Sequence, residues 1–324
     1  MINRRELLIA SAAAALIPAS LLAQTTGKMP RIGVLLLVTS PEQFLTPFRD
    51  GMRQLGYVEG KTFAIEPRTA AGKIDALPEL AAELVRLKVD IIVAQLTPAV
   101  VAAKRATTSI PIVMAPAGDP VQIGLIASLA RPGGNVTGIS AVVTDLGGKF
   151  LQLMTEVRPN MTRIALLAHA TDSFTKLFAE RVESAAKQMH LQLQTFLAHG
   201  DVDLDTAFSA IARERIDAGI IQPTLASKLA AELALKYRLP AITGGPPTRV
   251  FTEAGGLIGY GANPDEYSRG AAVYIEKLLK GAQPATLPVE QPTKFEMVVN
   301  LKTAKALGIK IPNSILLRAD KVIE

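Results

Sequence analysis

Ile32-Gly33-Val34-Leu35-Leu36-Leu37-Val38 is an apolar run closed by the turn residues Thr39-Ser40-Pro41. A strand with one wet face alternates apolar and polar residues, and this one does not. It reads as a strand covered on both faces, which is the situation of parallel sheets flanked by helices. Similar runs recur at 91–94, 112–115 and 164–168, and further candidates lie at 62–66, 136–139, 191–196, 219–221, 241–243 and 257–260. Between them 44–55, 78–87, 98–107, 146–157, 174–189 and 226–237 carry apolar residues at three and four spacing. Asp75 with Pro78, and Thr97 with Pro98, stand where helices start. The alternation predicts an α/β protein. It runs for about five strands, passes the glycine-rich stretch RPGGNVTGIS (Arg131 to Ser140), and repeats for about five more without a low-complexity linker. Two Rossmann-like lobes with parallel sheets, joined by crossing strands, fit this pattern.

At the amino terminus Arg4 and Arg5 precede an apolar segment, Leu7 to Ile17, and small residues up to Ala23. This is the form of an export signal over residues 1–23, cleaved before Gln24, and the expected location is the periplasm. The paired arginines followed by Glu6, Leu7 and Leu8 suit a Sec or a twin-arginine route. Removal of residues 1–23 lowers the formal charge from +6 to +5. The basic residues are scattered along helical faces, so no nucleic-acid partner is expected. The chain has no cysteine and is 49% apolar, so hydrophobic burial has to hold it together.

In an open parallel sheet, ligands sit beyond the carboxyl ends of the strands, near helix starts with unpaired N–H groups. The turns there are Thr39-Ser40-Pro41, Gln95 to Pro98, Pro116 to Pro120, His169 to Ser173, Gln222-Pro223-Thr224 and Gly244 to Pro247. Nearly all carry a hydroxyl, amide or carboxylate beside proline or glycine. Capping chemistry accounts for any one of them, whereas a shared cleft accounts for all. His169 is the one histidine in such a turn and is a candidate ligand contact.

Catalytic and metal motifs fail on spacing. Gly56 to Thr62 has three residues between its glycines where a phosphate loop needs four, and it leads into a strand. Asp201, Asp203 and Asp205 open like a calcium loop, but Thr206 and Ala212 replace the required Gly and Glu. Gly133 to Gly138 precedes a strand where a dinucleotide fingerprint follows one. His169, His190 and His199 share no metal-ligand spacing, and no GxSxG elbow occurs. The reading is no enzyme, no catalytic residue, no metal and no cofactor.

From Arg31 onward the chain resembles the exported substrate-binding proteins of ABC importers, specifically the tryptophan/tyrosine-type subfamily with the type 1 periplasmic binding protein fold. The stretches that carry this are FRDGMRQLGYVEGKTFAIE (Phe48 to Glu66), LPELAAELVRLKVDIIVA (Leu77 to Ala94), TTSIPIVMAPAGDPVQIGLIASLARPGGNVTGIS (Thr107 to Ser140), EAGGLIGYG (Glu253 to Gly261) and the tail from Leu287 to Glu324. The segment Leu167 to Ser227 matches least. The resemblance implies a monomeric receptor whose two lobes close on a small solute and whose closed form docks on a membrane permease. It implies lobe 1 at 30–137 plus 262–290 and lobe 2 at 138–261 plus 291–324. The hinge then includes Gly138, Ser140 and Gly261, with a third crossing near Val289 to Thr293.

Carried over by position, the implied ligand contacts are Ser40, Thr97, Pro98, Gly118 and Asp119 from lobe 1, Gln222 and Thr224 from lobe 2, and Asn263 at the hinge. An amino-acid-like, small aromatic or carboxylated solute would use the helix starts at Ser40 and Thr97 for its carboxylate and Asp119 for its ammonium. Phe44 and Phe174 follow corresponding strands and form a possible aromatic clamp, against the plainer reading of core packing. Arg249 is an alternative anion anchor. A periplasmic sensor subunit for a membrane kinase would use the same cleft, and a secreted α/β enzyme is a more distant alternative.

Overall fold

A computed structural model describes residues 29–324, and the export signal expected at 1–23 lies outside the described residues. The first sheet is built from β1 (Arg31–Leu36), β2 (Ala64–Thr69), β3 (Ile91–Gln95), β4 (Ile112–Gly118) and β5 (Val136–Ala141), in the order β2-β1-β3-β4-β5. All its pairings are parallel. Helices α1 (Glu42–Gln54), α2 (Leu77–Arg86) and α3 (Thr97–Ala106) connect the strands. The unbroken apolar run of β1 now has its cause. Ile32, Val34 and Leu36 join a core with Phe44 and Phe48 of α1, while Leu35 and Leu37 join a second core with Leu84 of α2 and Val100 of α3.

The second sheet follows α4 (Val143–Val157). It contains β6 (Arg163–His169), β7 (Gln192–Ala198), β8 (Ala218–Ile221), β9 (Ala241–Thr243) and β10 (Ile258–Gly261), connected through α5 (Thr175–Gln188), α6 (Leu204–Arg213), α7 (Lys228–Lys236) and α8 (Thr248–Glu253). After β10 the chain leaves this sheet. Helix α9 (Pro264–Leu279) returns to the first unit and packs Ala271, Tyr274 and Ile275 into the core that holds Phe44 and Phe48. The chain then recrosses to form β11 (Glu296–Asn300), α10 (Leu301–Leu307), α11 (Asn313–Leu316) and β12 (Lys321–Ile323). The order is β12-β11-β10-β9-β8-β6-β7.

The expected pair of parallel sheets needs one correction, because β10 and β11 run antiparallel. The chain leaves the second sheet just after Gly261 and rejoins it at Glu296, which is the residue paired with Gly261. Leaving and returning at the same end forces opposite directions. Neither β11 nor β12 was among the expected strands.

Three passages link the units: Ala141–Val142, Gly261–Asn263 and Glu290–Glu296. The lobe boundary expected after residue 137 falls inside β5, which stays paired with β4 as far as Ala141. On its other edge, Ser140 N–H donates to Glu290 O at 2.9 Å and Glu290 N–H donates to Gly138 O at 3.0 Å. Gly138 and Ser140, expected as hinge residues, are thus bonded into the first unit on both sides. Gly261 is paired within the second sheet.

At Gly138 φ is +120°, and a Cβ there would lie 2.5 Å from both the N and the O of Met114. The close approach of β4 requires a glycine. Gly138→Ala is expected to lower the unfolding free energy by about 3 kcal/mol in urea titration. Gly134→Ala, where a Cβ meets nothing within 4 Å, is the control. Equal midpoints for the two variants would contradict this account of Gly138.

Candidate functional site

The carboxyl ends of β1, β3, β8 and β9 face a cleft of ≈500 Å³ between the two sheets. Its walls include Val38 to Ser40, Phe44, Gln95, Asp201, Pro223 to Ser227, Pro246, Arg249, Asp265 and Arg269. The volume lies within the usual range for small-molecule sites, about 300–1,000 Å³. Gln95 is buried and its Oε1 has no hydrogen-bond partner among the described residues. Ser227 caps α7 by accepting from Ala230 N–H at 3.2 Å and donates to Asp201 Oδ1 at 3.1 Å.

Beside this cleft is a smaller chamber of ≈20 Å³, lined by Thr97, Gly118, Asp172, Phe174, Gln222 and Thr224 among others. Leu96, Pro223, Thr224 and Pro246 line both spaces. The chamber is organised by Gln222, which is fully buried at the end of β8. Its Oε1 accepts from His169 N–H at 2.8 Å and from the Thr175 hydroxyl at 2.9 Å, and its Nε2 donates to Asp172 Oδ2 at 2.9 Å. Asp172 Oδ1 accepts from Phe174 N–H at 2.9 Å, an Asx turn leading into α5. Asp172 is only 5% exposed and forms no ion pair among the described residues. Burial pushes its carboxyl up to about 6, partly offset by the Phe174 N–H. The Thr224 hydroxyl lies toward this carboxyl without closing a hydrogen bond and has no other partner.

The expected contacts divide into groups. Ser40 and Phe44 line the large cleft, Thr97, Gly118, Gln222 and Phe174 line the chamber, and Thr224 lines both. Thr97 Oγ1 accepts from Gly118 N–H at 3.0 Å, which fixes the start of α3 to the end of β4. Pro98, Asp119, His169 and Asn263 line neither space. Asp119 is occupied by the hydroxyl of Thr144 on α4, and burial raises its pKa. His169 shares the pleat face of Ala165 and Leu167, under α6 and α7, where burial lowers its pKa. Asn263 caps α9, accepting from Asp265 N–H at 2.9 Å and donating to Glu296 at 2.5 Å.

The aromatic pair is not assembled as a clamp. Phe44 stacks on Phe48 with centroids 5.8 Å apart, Phe174 stacks on Phe178 at 5.6 Å, and the two line different spaces. Phe174 instead presses on Gly118, where a Cβ would come within 2.7 Å of its ring. Arg249 spends its charge on Asp265 at 3.3 Å, bridging α8 of the second unit to α9 packed on the first. Gln95 and Asp172 fall inside the turns that the sequence marked but were not named there as contacts, and Ser227, Asp265 and Arg269 of the cleft wall lie outside those turns.

Because the Asp172 carboxyl binds its proton more tightly in the folded chain than in the unfolded one, its contribution to stability falls as pH rises. The loss starts near the unfolded value of 3.8 and is complete above about 6. It amounts to about 3 kcal/mol. Asp172→Asn cannot ionise, so its stability relative to the parent should improve by up to that amount between pH 4 and pH 7 in paired urea titrations. A difference that does not change with pH would rule out the assignment.

A profile of the family described as ABC transporter substrate binding protein matches residues 31–323. A "Tyrosine-binding protein" of Clostridioides difficile (strain R20291) is 25% identical over 290 residues, 87% of this chain and 82% of that one. Among solved structures, a conserved domain protein from Vibrio cholerae superposes with TM-score 0.83 at 26% identity, over 91% of this chain and 100% of that one. An ABC domain in complex with L-Trp, from Streptococcus pneumoniae, gives 0.81 at 25% identity over the same shares. These structures share the two-sheet α/β fold described above, and with the family profile spanning residues 31–323 the chain belongs to the ABC transporter substrate-binding protein family.

Proposed function

We propose that the protein is the exported solute receptor of an ABC importer, holding a small amino-acid-like solute with an aromatic part between two lobes that close over it. The observation that carries this reading is the ≈500 Å³ cleft, lined by strand ends from both sheets. A relative that binds tyrosine and a solved relative in complex with L-Trp support the aromatic amino-acid class. The moving units are 30–137 plus 262–290 and 138–261 plus 291–324, with the first crossing drawn to Ala141 by the pairing of β5. Ser40, Gln95, Thr97, Gln222 and Thr224 are the polar contacts from the two sides. The bound, closed form docks on a membrane permease.

The test is thermal unfolding of residues 24–324 with millimolar L-tyrosine or L-tryptophan, paired with small-angle scattering. A ligand that binds only the folded chain adds about 2.7 kcal/mol at one hundred times its dissociation constant, which raises the midpoint by several degrees. The radius of gyration should fall on binding. A raised midpoint at constant radius would remove the closing lobes, and no shift with either amino acid would remove the aromatic amino-acid class.

A further inference from the structure

The small chamber is built around a buried carboxylate with no cation beside it. Asp172 offers two carboxylate oxygens, each accepting one N–H, from Phe174 and Gln222. Each oxygen keeps a lone pair. The Thr224 hydroxyl is buried and unpartnered, while the acceptor oxygen of Gln222 is already taken by two donors. No Lys, Arg or His lines the chamber. Its free side-chain valences are therefore mainly acceptors, gathered around a carboxylate that is 5% exposed and lacks a counter-ion, while the uncapped starts of α3 and α4 add backbone N–H groups at Thr97 and Val143 but no full positive charge. A volume of ≈20 Å³ has room for about one water-sized group. An ammonium has that size and carries three donors and a positive charge. A carboxylate placed there would meet Asp172 with no cation between them.

We propose that Asp172, with Thr224, is the anchor for an ammonium group on the solute, so that the ligand is an amine whose head enters the chamber while its remainder fills the large cleft. This rests on the solute-receptor reading above and sharpens its ligand class. It also moves the ammonium acceptor from Asp119, whose carboxylate is held by Thr144 outside both spaces, to Asp172.

Matched probes decide it. Calorimetry of residues 24–324 would compare L-tyrosine, tyramine, which lacks the carboxylate, and 3-(4-hydroxyphenyl)propanoate, which lacks the amine, with cadaverine as a non-aromatic amine. The expected result is binding of amine-bearing probes and a loss of at least about 100-fold for the propanoate, since a buried polar site left unpaired rejects its ligand strongly. Asp172→Asn should abolish the preference for the amine. Thr224→Val leaves both partners of Asp172 in place and should weaken amines about tenfold without affecting the propanoate. That second variant carries the test if Asp172→Asn does not fold.

The proposal is overturned if the propanoate binds within about threefold of L-tyrosine, or if folded Asp172→Asn keeps the preference. Propanoate binding alone keeps the receptor reading and discards the ammonium anchor. Asp172-dependent binding of cadaverine without either aromatic amine keeps the anchor and discards the aromatic class. Silence from every amine discards the anchor.

Discussion

Parallel pairing places the carboxyl ends of adjacent strands along one edge of a sheet, and this constraint shapes the whole molecule. Each sheet sends its turns toward the gap, so the chemistry gathers in segments such as Gln95–Thr97 and Gln222–Thr224 while the helices cover the sheet faces. The chain can visit both sheets only through the passages at 141–142, 261–263 and 290–296. That route puts α9 on the first unit and turns β11 against β10. Local propensity accounts for neither feature.

The chamber beside the cleft is set by one side chain more than any other. Gln222 uses both ends of its amide to join the last residue of β6, the first residue of α5 and the Asp172 turn. An amide serves here because it supplies an acceptor and a donor at a fixed separation. Breaking one of these bonds leaves a buried polar group short of a partner, at a cost of about 1–3 kcal/mol. The network holds the Asp172 carboxylate in place although its burial is unfavourable. Groups with unspent hydrogen-bonding capacity then remain at the inner end of the site.

Much of this was legible in the sequence. The apolar runs at 32–38, 91–94, 112–115 and 164–168 correspond to β1, β3, β4 and β6, and the turns after strands supply the cleft walls. What the sequence withheld is side-chain direction. His169 and Gln222 both end strands, but pleat parity sends the histidine beneath α6. Asp172 reads as ordinary turn chemistry because it makes an Asx turn with Phe174, and nothing local reveals that the same carboxylate also reaches Gln222, fifty residues on. The glycines of RPGGNVTGIS suggest freedom of motion. Gly138 in fact serves a tight approach between strands. Phe44 and Phe174 are equivalent by position but line different spaces, each stacked on a phenylalanine one helical turn further along.

The wall shared by the two spaces, made by Leu96, Pro223, Thr224 and Pro246, has a consequence for how finely a solute is judged. A molecule reaching across it is assessed twice, by unlike rules. In the roomy outer space a missing methylene costs about 0.8 kcal/mol, so neighbouring homologues compete within a factor of about four. At the cramped inner end a mismatched head group strands buried polar atoms, and discrimination there rises by orders of magnitude. With a solute seated as proposed, such a site would be tolerant of the tail and strict about the head, which favours a family of related solutes over a single one.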